Sequence, residues 1–214
     1  MSYYLPDGGR LYMSTTFAAE KTISAVTNAN AAVATSTTHG YSDNDELLFV
    51  SGWEDATDTV WRANQLTADT FELVGLDATD TDIYPAGTGT GTTAKISGWT
   101  ELQQWLESSP SGGDVRYVDV NPISRRNGIR IPAGFNPMSF DLEFGYDGAL
   151  ASQIAMIAAS RTFTKAAFKL VAAGGLTGYF YGNISFSEMP TMQKGDVMRA
   201  RAGVSVLGRF ISYV

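Results

Sequence analysis

The chain has 214 residues, 44% hydrophobic and 17% charged, which suits one substantial domain with or without an insert and lies outside the composition of disordered chains. It has no cysteine and one histidine, His39, which excludes a disulfide framework, cysteine-ligated zinc, iron–sulfur clusters, thiol nucleophiles and His-rich metal sites. The net charge of −7 is uneven: residues 1–100 hold 13 acidic against 4 basic side chains, and residues 101–214 hold 9 against 11, so the first half offers no basic face to a nucleic acid.

In chain order, Met1 to Gly9 carries Asp7 and Pro/Gly breakers where a secretory signal needs an apolar core, and the chain is expected to fold where it is made. Short runs rich in Val, Phe, Leu and Trp follow: Val33–Thr35, Leu47–Val50, Thr59–Ala63 and Thr70–Val74. Turn clusters such as Ser42-Asp43-Asn44-Asp45 and Ser51-Gly52 punctuate them. This spacing predicts a compact all-β, barrel-like module over residues 24–94, ending in a flexible Gly/Thr connector from Ala86 to Thr93. Residues 43–82 within it carry eleven acidic residues against the single Arg62.

Beyond the connector, Ala94 to Trp105 and the cleanly alternating Val115–Val120 read as the two strands of a long hairpin, its polar tip at Ser108–Asp114. After a loop at Asn121 to Asn127, Ser139–Tyr146 alternates Phe140, Leu142, Phe144 and Tyr146 with Asp141 and Glu143. Asp147 is an N-cap candidate for a helix from Ala149 to about Ser160, with Leu150, Ile154 and Ile157 as its apolar stripe. Strands are predicted at Thr164–Val171, Thr177–Phe186 and Met198–Leu207, the first two joined by the turn Ala172–Gly175. The Ala-rich stretch 149–173 is interrupted by Arg161, Lys165 and Lys169, so no membrane-spanning helix is expected. The expected fold is all-β with one packed helix: a β-sandwich or barrel core from residues 1–23 and 95–214, and the small inserted β module, 24–94, as an independent satellite.

Residue by residue, catalytic chemistry finds little to work with. His39 lies near hydroxyls and Asp43, but no nucleophile-elbow pattern accompanies it, and a loop or strand-end histidine is the simpler reading. Asp43, Asp45 and Glu46 lack the third ligand and the glycine of a calcium loop, and read as a polar turn before a strand. Asp77, Asp80 and Asp82 read as solvated carboxylates. Gly87-Thr88-Gly89-Thr90-Gly91 lacks the lysine and helix of a phosphate loop. Arg125 and Arg126 with Arg130 form the one tight basic group, beside the Asn127-Gly128 turn. The chain is expected not to be an enzyme and to need no cofactor.

Several segments carry a family resemblance. Thr38-His39-Gly40-Tyr41-Ser42-Asp43-Asn44-Asp45-Glu46 through Val50-Ser51-Gly52, followed by Thr70-Phe71-Glu72-Leu73, resembles a β module of phage structural proteins, with Asn44 standing where that module has Gly. Ile96-Ser97-Gly98-Trp99-Thr100-Glu101-Leu102, Ser111-Gly112-Gly113, Ile131-Pro132-Ala133-Gly134 and the strand and helix from Phe140 to Ala159 resemble the major tail tube protein of long, non-contractile-tailed (siphovirus-type) bacteriophages. The resemblance implies a tail-tube-type core and homohexameric rings stacked into a hollow tail tube, through which DNA passes without specific binding. It also implies a tape-measure protein, a tail terminator and distal tail or baseplate proteins as partners, no membrane, synthesis in the host cytoplasm and a place in the virion tail. Contacts between subunits or rings are then expected at the tip residues Ser109, Pro110, Ser111, Gly112, Gly113 and Asp114 and at Arg125, Arg126 and Arg130. A reading from another class is a receptor- or carbohydrate-binding module of a virion, with Trp53, Trp61 or Tyr41 exposed to stack on sugars.

Overall fold

The computed structural model of the chain describes residues 7–214, and the segment before Asp7 that bears on a signal peptide lies outside the described residues. In order, the first strands are β1 (Arg10–Ser14), β2 (Thr16–Phe17), β3 (Lys21–Ile23), β4 (Ala25–Val26), β5 (Val33–Thr35), β6 (Glu46–Ser51), β7 (Thr59–Gln65), β8 (Thr70–Leu73) and β9 (Gly91–Ser97). Then come β10 (Thr100–Glu101), β11 (Trp105–Ser111), β12 (Val115–Val120), β13 (Ile129–Phe135), β14 (Ser139–Gly145), helix α1 (Ala151–Thr162), β15 (Lys165–Val171), β16 (Thr177–Phe186), β17 (Arg199–Val206) and β18 (Ile211–Tyr213). All the paired strands run antiparallel. The expected mostly-β fold with one helix is what the described residues form.

The first sheet runs β9-β6-β7-β8-β5-β4, with β2 and β3 both paired to β9. β3 and β4 are halves of one bent strand: Lys21–Ile23 pairs with β9, Ala25–Val26 pairs with β5, and between them the Ser24 N–H donates to the Thr35 carbonyl at 2.9 Å. The two edges therefore meet and the sheet closes into a small barrel, which leaves few backbone groups unpaired. Alternation fills it, with Phe49, Trp53, Phe71 and Leu73 fully inside. The barrel reaches past both ends of the 24–94 segment, because β2 and β3 precede it and β9 continues to Ser97. Nor is the Gly/Thr run a free connector. Gly91–Thr93 opens β9, and Thr93 is buried under the Tyr41 hydroxyl.

The second sheet runs β10-β1-β15-β16-β17-β14-β11, and β18 pairs with the start of β16. It is nearly closed by the same device. β10 pairs with β1 at one edge and β11 with β14 at the other, while the linking residues donate from Leu102 N–H to Leu11 O (2.7 Å) and accept at Gln104 O from Gly145 N–H (2.9 Å). Inside lie Leu11, Met13, Phe144, Phe168, Phe180 and Val204, with Met156 and Ala159 of α1 packed against them. The helix begins two residues later than expected, with Leu150 at its N-cap and no side-chain cap. Its buried face is Ser152, Gln153, Met156 and Ala159 rather than the Leu150/Ile154/Ile157 stripe. The cause is Gln153: its amide donates to Gly145 O (2.6 Å) and accepts from Asp147 N–H (3.0 Å), which pins that face to the end of β14 and turns Ile154 outward.

The predicted hairpin is replaced by a different pairing. β11 pairs with β14, so Ser108–Ser111 is strand rather than tip, and β12 pairs with β13 as a separate two-stranded sheet. Counted this way, β11 and β12 form the outgoing side of one long arm and β13 and β14 the return, reversing at residues 121–128.

The barrel and the core sheet share a seam. The chain crosses between them at residues 14–16 and again at 97–100, where the Ser14 hydroxyl donates to the Ser97 carbonyl. Leu48, Val60 and Ile96 of the barrel pack with Ala167, Tyr179 and Tyr181 of the core sheet in one buried cluster. In its middle the Glu46 carboxylate accepts from Tyr179 OH (2.6 Å), Lys169 Nζ (3.1 Å) and Trp99 Nε1. Arg62 in turn donates to Tyr179 OH (3.0 Å) and lies 4.5 Å from the Tyr213 ring centroid. Gly208 fits there because any Cβ would come within 2.3 Å of the Asp58 carbonyl. Burial, reinforced by the hydrogen bond to Glu46, pushes the Tyr179 phenol well above its ordinary range. The barrel is therefore fastened to the core along a packed, hydrogen-bonded surface rather than tethered as a satellite.

Candidate assembly interface

The arm starts from two glycines. Gly112 and Gly113 both hold positive φ (+79° and +76°), and a Cβ on Gly112 would meet the Pro137 carbonyl at 1.9 Å, so this is a position only glycine fills. Opposite them the Gly113 N–H donates to Asn136 O (3.2 Å) and the Asn136 N–H to Asp114 O (2.9 Å), carrying the pairing across the break. β12 and β13 then run out from the body, with Val118 opposite Ile131, Asp119 opposite Arg130 and Val120 opposite Ile129.

Period-2 geometry gives this ribbon two unlike faces. One carries Tyr117, Asp119, Arg130 and Pro132; there Arg130 Nε donates to Asp119 at 2.8 Å and its guanidinium lies 5.5 Å from the Tyr117 ring centroid. The other carries the aliphatic Val118, Val120, Ile129 and Ile131, with Arg116 at its base donating to Ala133 O (3.1 Å), and the described residues leave most of it open: Val118 is 51% and Ile131 47% exposed, while Val120 is half-buried. Phe135 and Ile123 are still more open. A two-stranded ribbon of this kind is at best marginal alone in water, and an uncovered aliphatic face of this size marks an interaction surface.

The expected contact residues divide among three places. Ser109, Pro110 and Ser111 sit in β11, opposite Asp141, Phe140 and Ser139; Pro110 is tolerated because β11 is an edge strand. Gly112, Gly113 and Asp114 form the base of the arm. Arg125 and Arg126 lie at its exposed tip, where Arg125 N–H donates to Pro122 O at 3.0 Å, and Arg130 is in β13, occupied with Asp119. Six of the nine therefore lie on the arm, and Ser109, Pro110 and Ser111 lie in the core sheet beside its base. The aliphatic face escaped the sequence reading, because alternation in Val115–Val120 looks the same whether a strand packs on its own core or on a neighbour.

Other expected features resolve as structure. Trp53, Trp61 and Tyr41 are 1%, 3% and 4% exposed, so the aromatics proposed to stack on sugars belong to the barrel core. Trp53 Nε1 donates to Pro85 O at 2.9 Å, and Trp61 Nε1 to Thr59 Oγ1 at 2.6 Å. His39 is buried against Tyr41 and Phe71; its Nδ1 accepts from the Tyr41 N–H (2.9 Å), which leaves Nε2 to donate to Thr67 O (3.0 Å). Asp43 and Asp45 hold turns by accepting from Gln65 N–H and Ser42 N–H, and Asp45 also pairs with Lys95 at 2.6 Å. Asn44 takes φ +65°, the left-handed conformation glycine would supply, and asparagine tolerates it. Asp77 accepts from both the N–H and the hydroxyl of Thr79, which holds its carboxyl below the ordinary range. No helix among the described residues is long and apolar enough to cross a membrane.

Comparison with known proteins returns a family model described as phage tail tube protein, TTP, which matches residues 51–214 and so takes in β7–β9 of the barrel and the core with its arm, apart from β1. Comparison with curated proteins gives no match. Among solved structures, a chain in the cryo-EM structure of the anti-feeding prophage (AFP) baseplate, 6-fold symmetrised, aligns with 10% identity and a TM-score of 0.38, over 55% of this chain and 85% of that one.

Proposed function

The chain belongs to the phage tail tube protein family, and from that premise we propose that it is the structural subunit of a hollow tail tube of the long, non-contractile type, built from stacked rings through which DNA passes during ejection. As a member of that family it is a structural component of the virion tail. The observation that carries the fuller reading is the β12–β13 arm, a ribbon with one largely aliphatic face that the described residues leave open and with the Arg125/Arg126 tip beyond it. A head-to-tail contact made by such an arm closes into a ring or propagates as a filament, and repetition multiplies a modest contact energy. A ring of six copies follows from the resemblance of the sequence to siphovirus-type tube proteins. The net negative charge of the subunit suits a channel in which DNA must slide without sticking.

In this proposal the protein acts by assembly and not by catalysis. It is made in the host cytoplasm, and its partners are its own copies, a tape-measure protein, a terminator and distal tail or baseplate proteins. Negative-stain microscopy of the concentrated protein tests it: rings or tubes are expected, and a small soluble oligomer at every concentration would overturn it. Without exposed Trp53, Trp61 or Tyr41, the carbohydrate-binding alternative keeps no residue in its favour.

A further inference from the structure

At the pole of the core opposite the arm, the hairpin loop between β16 and β17 carries a second uncovered apolar surface. Ser139 pairs with Ser205 at the arm end of the β14–β17 ladder, and Gly145 with Arg199 at the far end, so the arm, which leaves the start of β14, and this loop, which enters the start of β17, lie at opposite ends of one ladder. The loop, residues 187–198, is held in place. Ser187 N–H donates to Arg201 O and Thr191 N–H to Arg199 O, both at 2.8 Å, while Arg161 clamps Glu188 through two hydrogen bonds of 2.7 and 2.6 Å.

Its acidic charges are spent locally, Glu188 on Arg161 and Asp196 on Arg199, Lys194 stands exposed, and its apolar side chains point to solvent: Met189 is 83%, Met192 71% and Val197 59% exposed. Phe163, just past the helix that supplies Arg161, is 84% exposed. Methionine is unbranched and polarisable, and it adapts to an irregular apolar partner better than a β-branched residue does. The arm is the matching object, a ribbon whose charged pair, Asp119 and Arg130, is likewise satisfied on one face while the other is aliphatic beyond Arg116, whose guanidinium donates to Ala133 O. It extends about 20 Å from the body at the usual rise per strand residue.

Resting on the tube reading, we propose that the loop of residues 187–198, with Met189, Met192, Val197 and the neighbouring Phe163, receives the aliphatic face of the arm from another copy of this chain. Since the two surfaces differ and lie at opposite poles, the contact is heterologous and each copy offers one of each, so it propagates from copy to copy. An isologous arm-to-arm pairing would leave the methionine loop bare.

The absence of native cysteine makes the test direct. Val118→Cys and Met189→Cys are introduced separately and together, each chain is allowed to assemble, and disulfides are formed with a mild oxidant and read on a non-reducing gel. A mixture of the two single variants is expected to give a covalent dimer that neither gives alone, and the double variant a ladder beyond dimer. A control pairs Val118→Cys with Ile83→Cys, an exposed barrel position. Tubes that form normally but cross-link no more at 118/189 than at 118/83 would overturn the inference and leave the tube reading standing, as would a double variant that stops at dimer. A wild-type chain that never assembles would overturn both. As a second measurement, Met189→Glu with Met192→Glu is expected to keep the protomer's thermal midpoint and slow tube growth at least about tenfold, equivalent to about 1.4 kcal/mol of lost contact. Wild-type growth of that variant would also overturn it.

Discussion

The barrel of residues 16–97 and the arm of residues 112–138 are both built from short alternating strands, yet they treat apolar side chains in opposite ways. In the barrel, closure through the bent β3–β4 strand wraps every large aromatic of the core, and Trp53, Phe49 and Phe71 are sealed. In the arm, two strands pair only with each other, and a face of Val118, Ile129 and Ile131, with the half-buried Val120, lies open to solvent. The same pattern of residues thus serves self-sufficient stability in one region and association in the other. The difference lies in whether the sheet has enough strands to close around its apolar face.

The largest effect separating the two is expected from replacing residues 24–94 with a short Gly/Ser connector. The sequence alone suggested that rings would survive this. The seam formed by Leu48, Val60, Ala167, Tyr179 and Tyr181 predicts instead that the remaining core loses its cooperative unfolding transition, as followed by near-ultraviolet circular dichroism. A cooperatively folded remnant would restore the satellite picture. Next come single truncations. Phe71→Ala in the barrel is expected to cost about 3–5 kcal/mol in urea unfolding, whereas Val118→Ala in the arm changes protomer stability by no more than about 0.5 kcal/mol and weakens assembly. Equal losses at the two sites would erase the contrast.

At the seam, Glu46→Gln takes the charge away from Lys169 and weakens the acceptor for Tyr179 and Trp99, at an expected cost of about 2 kcal/mol in the same assay. Tyr179 adds a pH signature. Its folded-state value is raised, so its contribution is intact below the ordinary phenol value of 10.0 and is lost as the pH rises above it, where the unfolded chain ionises while the buried phenol keeps its proton. Tyr179→Phe is expected to flatten the fall in stability above about pH 10, and an unchanged alkaline limb would place the loss elsewhere. The smallest change in protomer stability belongs to Arg125→Glu with Arg126→Glu at the exposed tip. It is expected to stay within about 0.5 kcal/mol, while tube growth at low salt slows measurably by light scattering. Normal growth would mean that the tip is merely solvated.

How much of this was legible in the residues can be judged element by element. Alternation located β5, β6, β7, β8, β14, β16 and β17 to within a few residues and identified Leu142 and Phe144 as core, because strand faces follow from a local period of two. The turn at 172–175 was also visible, since backbone conformations at positive φ select their residues locally, whereas Gly112 and Gly113, read as a hairpin tip, mark the base of the arm. The family resemblance pointed to a tube protein from short motifs such as Ile131-Pro132-Ala133-Gly134.

What only the tertiary structure decided are the partners of each face. β11 was read as pairing with β12 because they are neighbours in sequence, yet it pairs with β14, and the reversal moves from 108–114 out to 121–128. Glu46 looked like part of a polar turn and proved to be the acceptor at the centre of the seam, a role set by Lys169 and Tyr179 more than a hundred residues away. The helix stripe was misjudged because Gln153, a polar residue, found two backbone partners at the end of β14. In each case the local pattern determined that a residue has a face to bury or a hydrogen bond to make, and only the long-range register of the sheets determined against what. A period of two is the same whether the covering surface comes from the chain's own core or from the next copy.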